Sequence, residues 1–513
     1  MDIGRLLLAT VLVSASIPGH AASAQSDFEA YRRQQQQGAQ QLQTEFQAYK
    51  EKQDAEFADF LKSQWREFDT YQGKVRIKEP KPRQAPVRAP ATPVPPTAKP
   101  PVAVVPPSVP PTVSPVAIVP IIPPAAPPTP LPQPKPQPVA PDALEVSFYG
   151  NPVSFGFDPQ WKAYRFSGGA RPEAMSSFWT MMSGSRYQPT IQAISAARHA
   201  MKLDDWGHVE LWRDVVLALQ PDRKTEQNLL LWYFLVKSGY DVRLGYFGSE
   251  VHLFAAVKQQ VYSTKFTAVG NQTYYAVLDA DRGDSIRSFY TYEANYPVKL
   301  KALDIQTAST GFAKPVAARR ALAFDYRGKT IRLNVTYDRR LVEYVGSFPQ
   351  TEFPLYFDTD GSVPARNTLL PELKKYTAAM SDEEAVDFLL AFVQKAFAYK
   401  TDEEQFGYEK YFFVEESLYF PYNDCEDRAV MFAWLVHELR GLKAVGLLYP
   451  GHMTTGVELK QIRPDYATVD YQGERYVIAD PTYIGASVGM AMPSYAKLKP
   501  GRVVEIQYAS TVN

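Results

Sequence analysis

Cys425 is the only cysteine among 513 residues, and its neighbours are those that thiol chemistry needs. The run Asn423-Asp424-Cys425-Glu426-Asp427-Arg428 leads into an apolar stretch that Gly441 ends. That pattern predicts a helix with the thiol in its first turn. The positive end of the helix dipole and the unpaired N–H groups there favour the thiolate, the nucleophilic form. The flanking carboxylates oppose it, so a nearby imidazolium is required to hold the ion pair. His452 lies 27 residues on, after Pro450-Gly451 at the mouth of an expected strand; Asp480 follows 28 residues later, at the end of a hairpin. Cysteine catalysis requires a base that reaches the sulfur and a third group that orients the base. Taken singly, a buried inert thiol, a structural histidine and an Asp-Pro turn are the ordinary readings; in this order, on matching elements, the three make a candidate catalytic set.

The elements that must position them can be read from pattern. Ser381–Phe397 is an amphipathic helix with Ser381 as N-cap and Glu384 closing a capping box. The Cys425 helix runs to Gly441. Strands are expected at Ala444–Tyr449 and Met453–Leu459, then a hairpin of Thr468–Tyr471 with Tyr476–Ala479 turning at Gln472-Gly473. Earlier in the chain, helices are expected at Pro189–Met201, Trp206–Leu219 and Thr225–Ser238, with strands at Val242–Phe247, Val251–Val257 and Tyr274–Leu278. Ala321–Tyr326 and Thr330–Tyr337 form a hairpin around Arg327-Gly328.

Residues 397–432, containing Asp424-Cys425-Glu426-Asp427, residues 451–459, containing His452-Met453, and residues 476–483, containing Asp480-Pro481-Thr482, resemble the transglutaminase-like superfamily. The Asp-Cys-Glu-Asp and His-Met motifs are most similar to those of bacterial transglutaminase-like cysteine proteinases. The resemblance covers about 120 residues. It implies an α+β papain-like core in which Cys425 attacks a carboxamide or peptide carbonyl, His452 shuttles the proton and Asp480 orients His452. The Cys425 N–H would help bind the oxyanion, with Gln405, Tyr419 and Tyr422 as candidates for a second donor. Some members of the proteinase group bind calcium through acids beside the cysteine, which makes Asp424, Glu426 and Asp427 calcium candidates. The plainer role for Glu426 and Asp427 is to complement the helix dipole, and the expected cofactor is none. Two departures bear on substrate: Phe412-Phe413-Val414-Glu415 stands where those proteinases carry a Trp-Ala-Thr-Pro-type segment, and Glu426 follows the cysteine where animal transglutaminases carry tryptophan.

A similar pattern occurs about 200 residues earlier. Thr225, His252 and Asp279 precede Cys425, His452 and Asp480 by 200, 200 and 201 positions, on a helix and two expected strands. This reads as a duplicated core whose first copy has lost its nucleophile; coincidence between two α+β segments is the alternative.

Residues 1–24 read as a secretory signal: Arg5, an apolar run at Leu6–Val13, and Ala22-Ser23-Ala24 before Gln25. The expected location is periplasmic or extracellular, and no apolar run is long enough for a transmembrane span. Residues 25–75 repeat aromatic and leucine positions at helical spacing, an amphipathic arm that either self-associates through residues 26–73, as in a coiled coil, or packs on the globular part. Residues 76–142 hold most of the 43 prolines and read as a polyproline spacer. The remaining divisions are a degenerate core at 143–285, a β-rich linking segment at 286–370 and the catalytic core at 371–513. Charge is balanced at 55 basic and 55 acidic residues, so nucleic acid is not an expected partner. Six histidines without ligand spacing argue against a zinc site. The combined expectation is a secreted cysteine peptidase or amidase acting on protein or cell-wall peptide, with hydrolysis favoured over crosslinking. The rival is a non-catalytic envelope scaffold with a vestigial cysteine.

Overall fold

A computed structural model describes residues 44, 47–73, 84–88 and 142–507, except 168, 280–282, 294–295, 307–311 and 313–314. The secretory signal lies outside the described residues, as does most of the proline-rich stretch. The described chain is mixed α and β with antiparallel sheets, and none of its helices is long and apolar enough to cross a membrane.

Two sheets share one plan. In the C-terminal half the strand order is Thr468–Tyr471, Glu474–Ala479, His452–Val457, Ala444–Tyr449, Arg502–Glu505. In the N-terminal half it is Phe266–Val269, Gln272–Tyr275, Glu250–Ala256, Val242–Phe247, Ser288–Tyr292. All neighbours in both are antiparallel. Against the third and fourth strands of each order lies one helix, Cys425–Arg440 or Lys224–Lys237, itself packed on an earlier helix, Asp382–Ala396 or Asp205–Leu219. Five strands and two helices thus recur in the same order and pairing.

Local rules account for the boundaries near the site. Ser381 caps Asp382–Ala396, accepting from the Glu384 N–H while Glu384 accepts from the Ser381 N–H. Gly441 ends the Cys425 helix with φ of 65°, a left-handed C-cap that glycine adopts at no steric cost. The hairpin Ala317–Tyr326 with Lys329–Asp338 turns at Arg327-Gly328, both at positive φ (47° and 76°), as a two-residue primed turn requires. This hairpin belongs with the C-terminal half, because Phe324 packs edge-on against Phe388 and Phe392 of the helix Asp382–Ala396.

Several segments differ from the sequence reading. The amphipathic arm is helical over residues 47–61 but turns into a strand at Trp65–Asp69, which pairs with Ser288–Tyr292 at the edge of the N-terminal sheet. Trp65, Phe68 and Tyr71 fit helical spacing, yet Trp65 packs on Tyr246 and Tyr292 on one face of the sheet while Phe68 stacks on Phe289; tertiary pairing overrides the local period. The described part of the arm is not left for self-association: Phe57 and Leu61 are buried in the chain's own core, and Asp54 forms a buried ion pair with Lys237. The first core also does not end at 285, since Ser288–Tyr292 is an integral strand and Leu303 bridges Val257. The strand expected at Tyr274–Leu278 lies at Gln272–Tyr275. Finally, the proline-rich stretch is not wholly a spacer, because residues 84–88 dock on the loop after Asp480.

Candidate active site

The structure brings the three predicted residues together below the surface. Cys425 opens its helix at the first position, 1% exposed, and His452 and Asp480 are 2% exposed. His452 begins its strand immediately after the Pro450-Gly451 turn, paired with Tyr449, and Asp480 follows Ala479 at the end of the neighbouring strand. Antiparallel pairing of Thr455 with Ala479 fixes the register that sets histidine beside aspartate. His452 Nε2 lies 2.9 Å from Asp480 Oδ2. A carboxylate can only accept, so Nε2 carries the proton and Nδ1 holds the lone pair. Nδ1 is buried and has no hydrogen-bond partner among the described residues. The Met453 N–H, one residue beyond His452, donates to Cys425 Sγ at 3.5 Å, which ties the start of this strand to the sulfur.

Asp480 is held in turn. Its Oδ1 accepts the Thr482 and Tyr483 N–H groups at 2.9 and 3.2 Å. Gln394, 2% exposed on the helix Asp382–Ala396, donates to the Asp480 and Ala486 carbonyls at 3.0 and 3.1 Å and accepts the Gly485 N–H at 3.0 Å. The ring of Tyr495 stacks on His452 with 5.1 Å between centroids and 10° between planes, and its hydroxyl donates to the Pro450 carbonyl at 3.2 Å. Gln394 and Tyr495 were not singled out by sequence reasoning; nothing in their local sequence marks them, since one sits inside a helix and the other in an irregular loop.

Acidic groups crowd the other side of the sulfur. The Cys425 thiol donates to Glu426 Oε2 at 2.9 Å. Asp402, Glu409 and Glu426 bring ligand oxygens within 4.8 Å of one another, and so do Asp402, Asp424 and Asp427. All three calcium candidates are therefore in the cluster, joined by Asp402 and Glu409, two residues the sequence reading assigned no role. Asp427 accepts the Phe412 and Asp424 N–H groups at 2.9 and 3.2 Å, so it also serves the helix start as the plainer reading has it. Asp402 accepts the Lys410 N–H at 2.8 Å. Arg428, 1% exposed, donates to the Phe397 carbonyl at 2.7 Å and lies over the Tyr399 ring. Burial pushes its pKa down to about 10 against the opposing pull of Tyr399, Asp424 and Asp427, so it stays charged at neutral pH. Five clustered carboxylates beside this guanidinium form a hard-oxygen set whose chemistry suits calcium.

Among the proposed oxyanion donors, Tyr419 and Tyr422 are exposed at 44% and 38%. Gln405 is different: both amide atoms are buried without a hydrogen-bond partner, and it lies one helical turn beyond Asp402 on Asp402–Phe406. Asn423, two residues before the thiol and 1% exposed, has the same two unpaired amide atoms and was missed.

The earlier pattern is also assembled, with changes. His252 Nδ1 lies 3.0 Å from Asp279 Oδ2, so here the opposite ring nitrogen faces the carboxylate. The hairpin extends two more pairs beyond Gly245 and His252, Tyr246 with Val251 and Phe247 with Glu250, whereas His452 sits at the turn itself. His252 Nε2 consequently abuts Glu250 Oε2 at 3.5 Å, and Thr225 occupies the helix start in place of a thiol.

Comparison with protein-family models, curated proteins and solved structures returns no match for this chain.

Proposed function

We propose that residues 371–513 form a papain-like, transglutaminase-like thiol enzyme acting on amide carbonyls of proteins or peptides outside the cytosol. The observation that carries this reading is the buried His452–Asp480 hydrogen bond of 2.9 Å, with Nδ1 left unpartnered and the strand's next N–H directed at Cys425 Sγ. In the reaction, Nδ1 takes the thiol proton and the thiolate forms a C–S bond to the carbonyl carbon. The negative charge that develops on oxygen is met by the Cys425 N–H and a side-chain amide, for which Gln405 and Asn423, each with both amide atoms buried and unpaired, are the candidates. The imidazolium returns its proton to the departing amine as the C–N bond breaks, leaving a thioester. Water, deprotonated by Nδ1, then releases the acid and restores the thiol. Asp480 keeps the imidazole in the required tautomer throughout.

Asp402, Glu409 and Glu426, together with Asp424 and Asp427, would hold calcium. When bound it would supply positive charge that neutralises Glu426, the carboxylate to which the resting thiol donates. We expect millimolar calcium to raise the melting temperature; a hundredfold excess over Kd is worth about 2.7 kcal/mol. The shift should vanish in Asp402→Asn and Glu426→Gln, and an unchanged melting curve in wild type would remove calcium from the site.

The first unit keeps the histidine–aspartate pair without a thiol, which fits a binding or scaffolding role in a duplicated protein. The activity is tested by incubating the protein with peptides and a labelled primary amine, then reading products by mass spectrometry. New carboxyl and amino termini are expected, few amine adducts, and neither in Cys425→Ser. Unchanged peptides across a broad set, with calcium present, would favour the scaffold.

A further inference from the structure

Within the proline-rich stretch, residues 84–88 have a defined partner. The Arg88 N–H donates to the Ile484 carbonyl at 2.9 Å, and the Ile484 N–H donates to the Pro86 carbonyl at 2.9 Å. Val87 and Ile484 thus form a parallel bridge. Val87 is 71% exposed, so the contact is made by backbone and not by a side-chain pocket.

The receiving segment is the loop that carries Asp480. Asp480 Oδ1 holds the N–H groups of Thr482 and Tyr483, and Gln394 holds Gly485 and Ala486. Between these inward-held groups, Ile484 alone turns both its N–H and its carbonyl toward another segment. A fixed donor and acceptor on a rigid loop is a β-addition edge, which reads an extended chain by main-chain bonds and tolerates varied side chains.

We infer that the outward backbone edge of Ile484 is a docking site for extended peptide, filled in this chain by its own residues 84–88. A peptide substrate passing the catalytic loop uses the same edge, so strap and substrate compete for it. This last step rests on the peptide-acting reading of Cys425; the docking itself does not. Two hydrogen bonds are a weak contact for a free peptide but a durable one for a tethered segment, whose effective concentration is on the order of millimolar. A displaceable internal strap follows.

The test uses full-length Cys425→Ser protein, so that it is independent of turnover, and reads amide hydrogen exchange at Ile484. Arg88→Pro deletes one of the two donors at an exposed residue; a second variant replaces residues 84–88 with glycine and serine. In both, Ile484 exchange should accelerate at least about tenfold, while Thr482, Tyr483 and Gly485, held by Asp480 and Gln394, stay protected. A synthetic peptide of residues 82–90 at millimolar concentration should restore Ile484 protection in the released variants, and the same peptide N-methylated at the arginine corresponding to Arg88 should not. Unchanged Ile484 exchange on strap release, or no restoration by the peptide, overturns the proposal. Failure of the thiol chemistry would leave these exchange results standing, so the two readings fail separately.

Discussion

Alkylation of Cys425 by iodoacetamide should depend little on pH between 5.5 and 7.5 in the calcium-loaded protein, and steeply in His452→Ala. An ordinary thiol titrates near 8.5, so its thiolate fraction falls about a hundredfold across that interval. A thiolate held by the imidazolium does not lose its proton balance there, and the rate stays within a few-fold. His452 Nε2 is committed to Asp480, its Nδ1 is buried without a hydrogen-bond partner among the described residues, and the next N–H of its strand donates to Cys425 Sγ. The alanine variant should therefore regain ordinary thiol titration, and amide turnover should fall by at least about three orders of magnitude. Because the resting thiol donates to Glu426, chelating calcium from wild type should move its profile toward that of the variant. A wild-type rate that already drops a hundredfold at pH 5.5, with calcium present, would mean that no ion pair forms.

The second large effect concerns stability. Arg428→Ala should destabilise the C-terminal half by about 3–5 kcal/mol, the usual result of removing one partner from a buried charged set. Arg428 is 1% exposed, its Nη2 bonds the Phe397 carbonyl, and it supplies positive charge beside Asp424 and Asp427. Without it those carboxylates remain buried against one another. For a unit of this size the loss corresponds to a fall of about 10 °C in Tm. Arg428→Lys should fall between the two, because charge is kept while the planar fork over Tyr399 is lost. A melting temperature unchanged in the alanine variant would show that the carboxylates are neutral or solvated in the native protein.

How much of this was legible in the sequence depends on the range of the interactions. Elements ruled by local chemistry were readable: the Ser381 capping box, the glycine stop at Gly441, and the hairpins turning at Arg327-Gly328 and Gln472-Gly473 all lie where pattern put them. The histidine–aspartate pair was readable because each residue adjoins a turn at a strand end, Pro450-Gly451 before His452 and Asp480-Pro481 after Ala479. What sequence could not show was pairing between distant segments. Trp65–Asp69 looks helical until Ser288–Tyr292 offers it an edge, and 84–88 looks like spacer until Ile484 meets it. Asp402 and Glu409 were invisible as site residues for the same reason: Asp402 opens a short helix as an ordinary first-turn acid, and only folding carries it to Glu426. Gln394 shows the reverse case, a polar residue in an apolar helix face whose partners lie 86 to 92 residues away.

The two halves share strand order and helix placement, yet differ at the hairpin turn that fixes the histidine. Ending the hairpin at His452 leaves Nδ1 directed away from Asp480 with no partner, whereas extending it past His252 brings Glu250 against the free nitrogen. Two added residue pairs in a hairpin thus separate an unpartnered ring nitrogen from an occupied one.

The most direct measurement is intact-mass analysis of the protein mixed with a slowly hydrolysed peptide ester and quenched in acid within the first turnover. A single acyl adduct mapped to Cys425, absent from Cys425→Ala and accumulating in proportion to active protein, is the expected result. Hydrolysis of the ester that persists undiminished in folded Cys425→Ala, or a complete lack of adduct on an intact, titratable thiol, would contradict nucleophilic catalysis by Cys425.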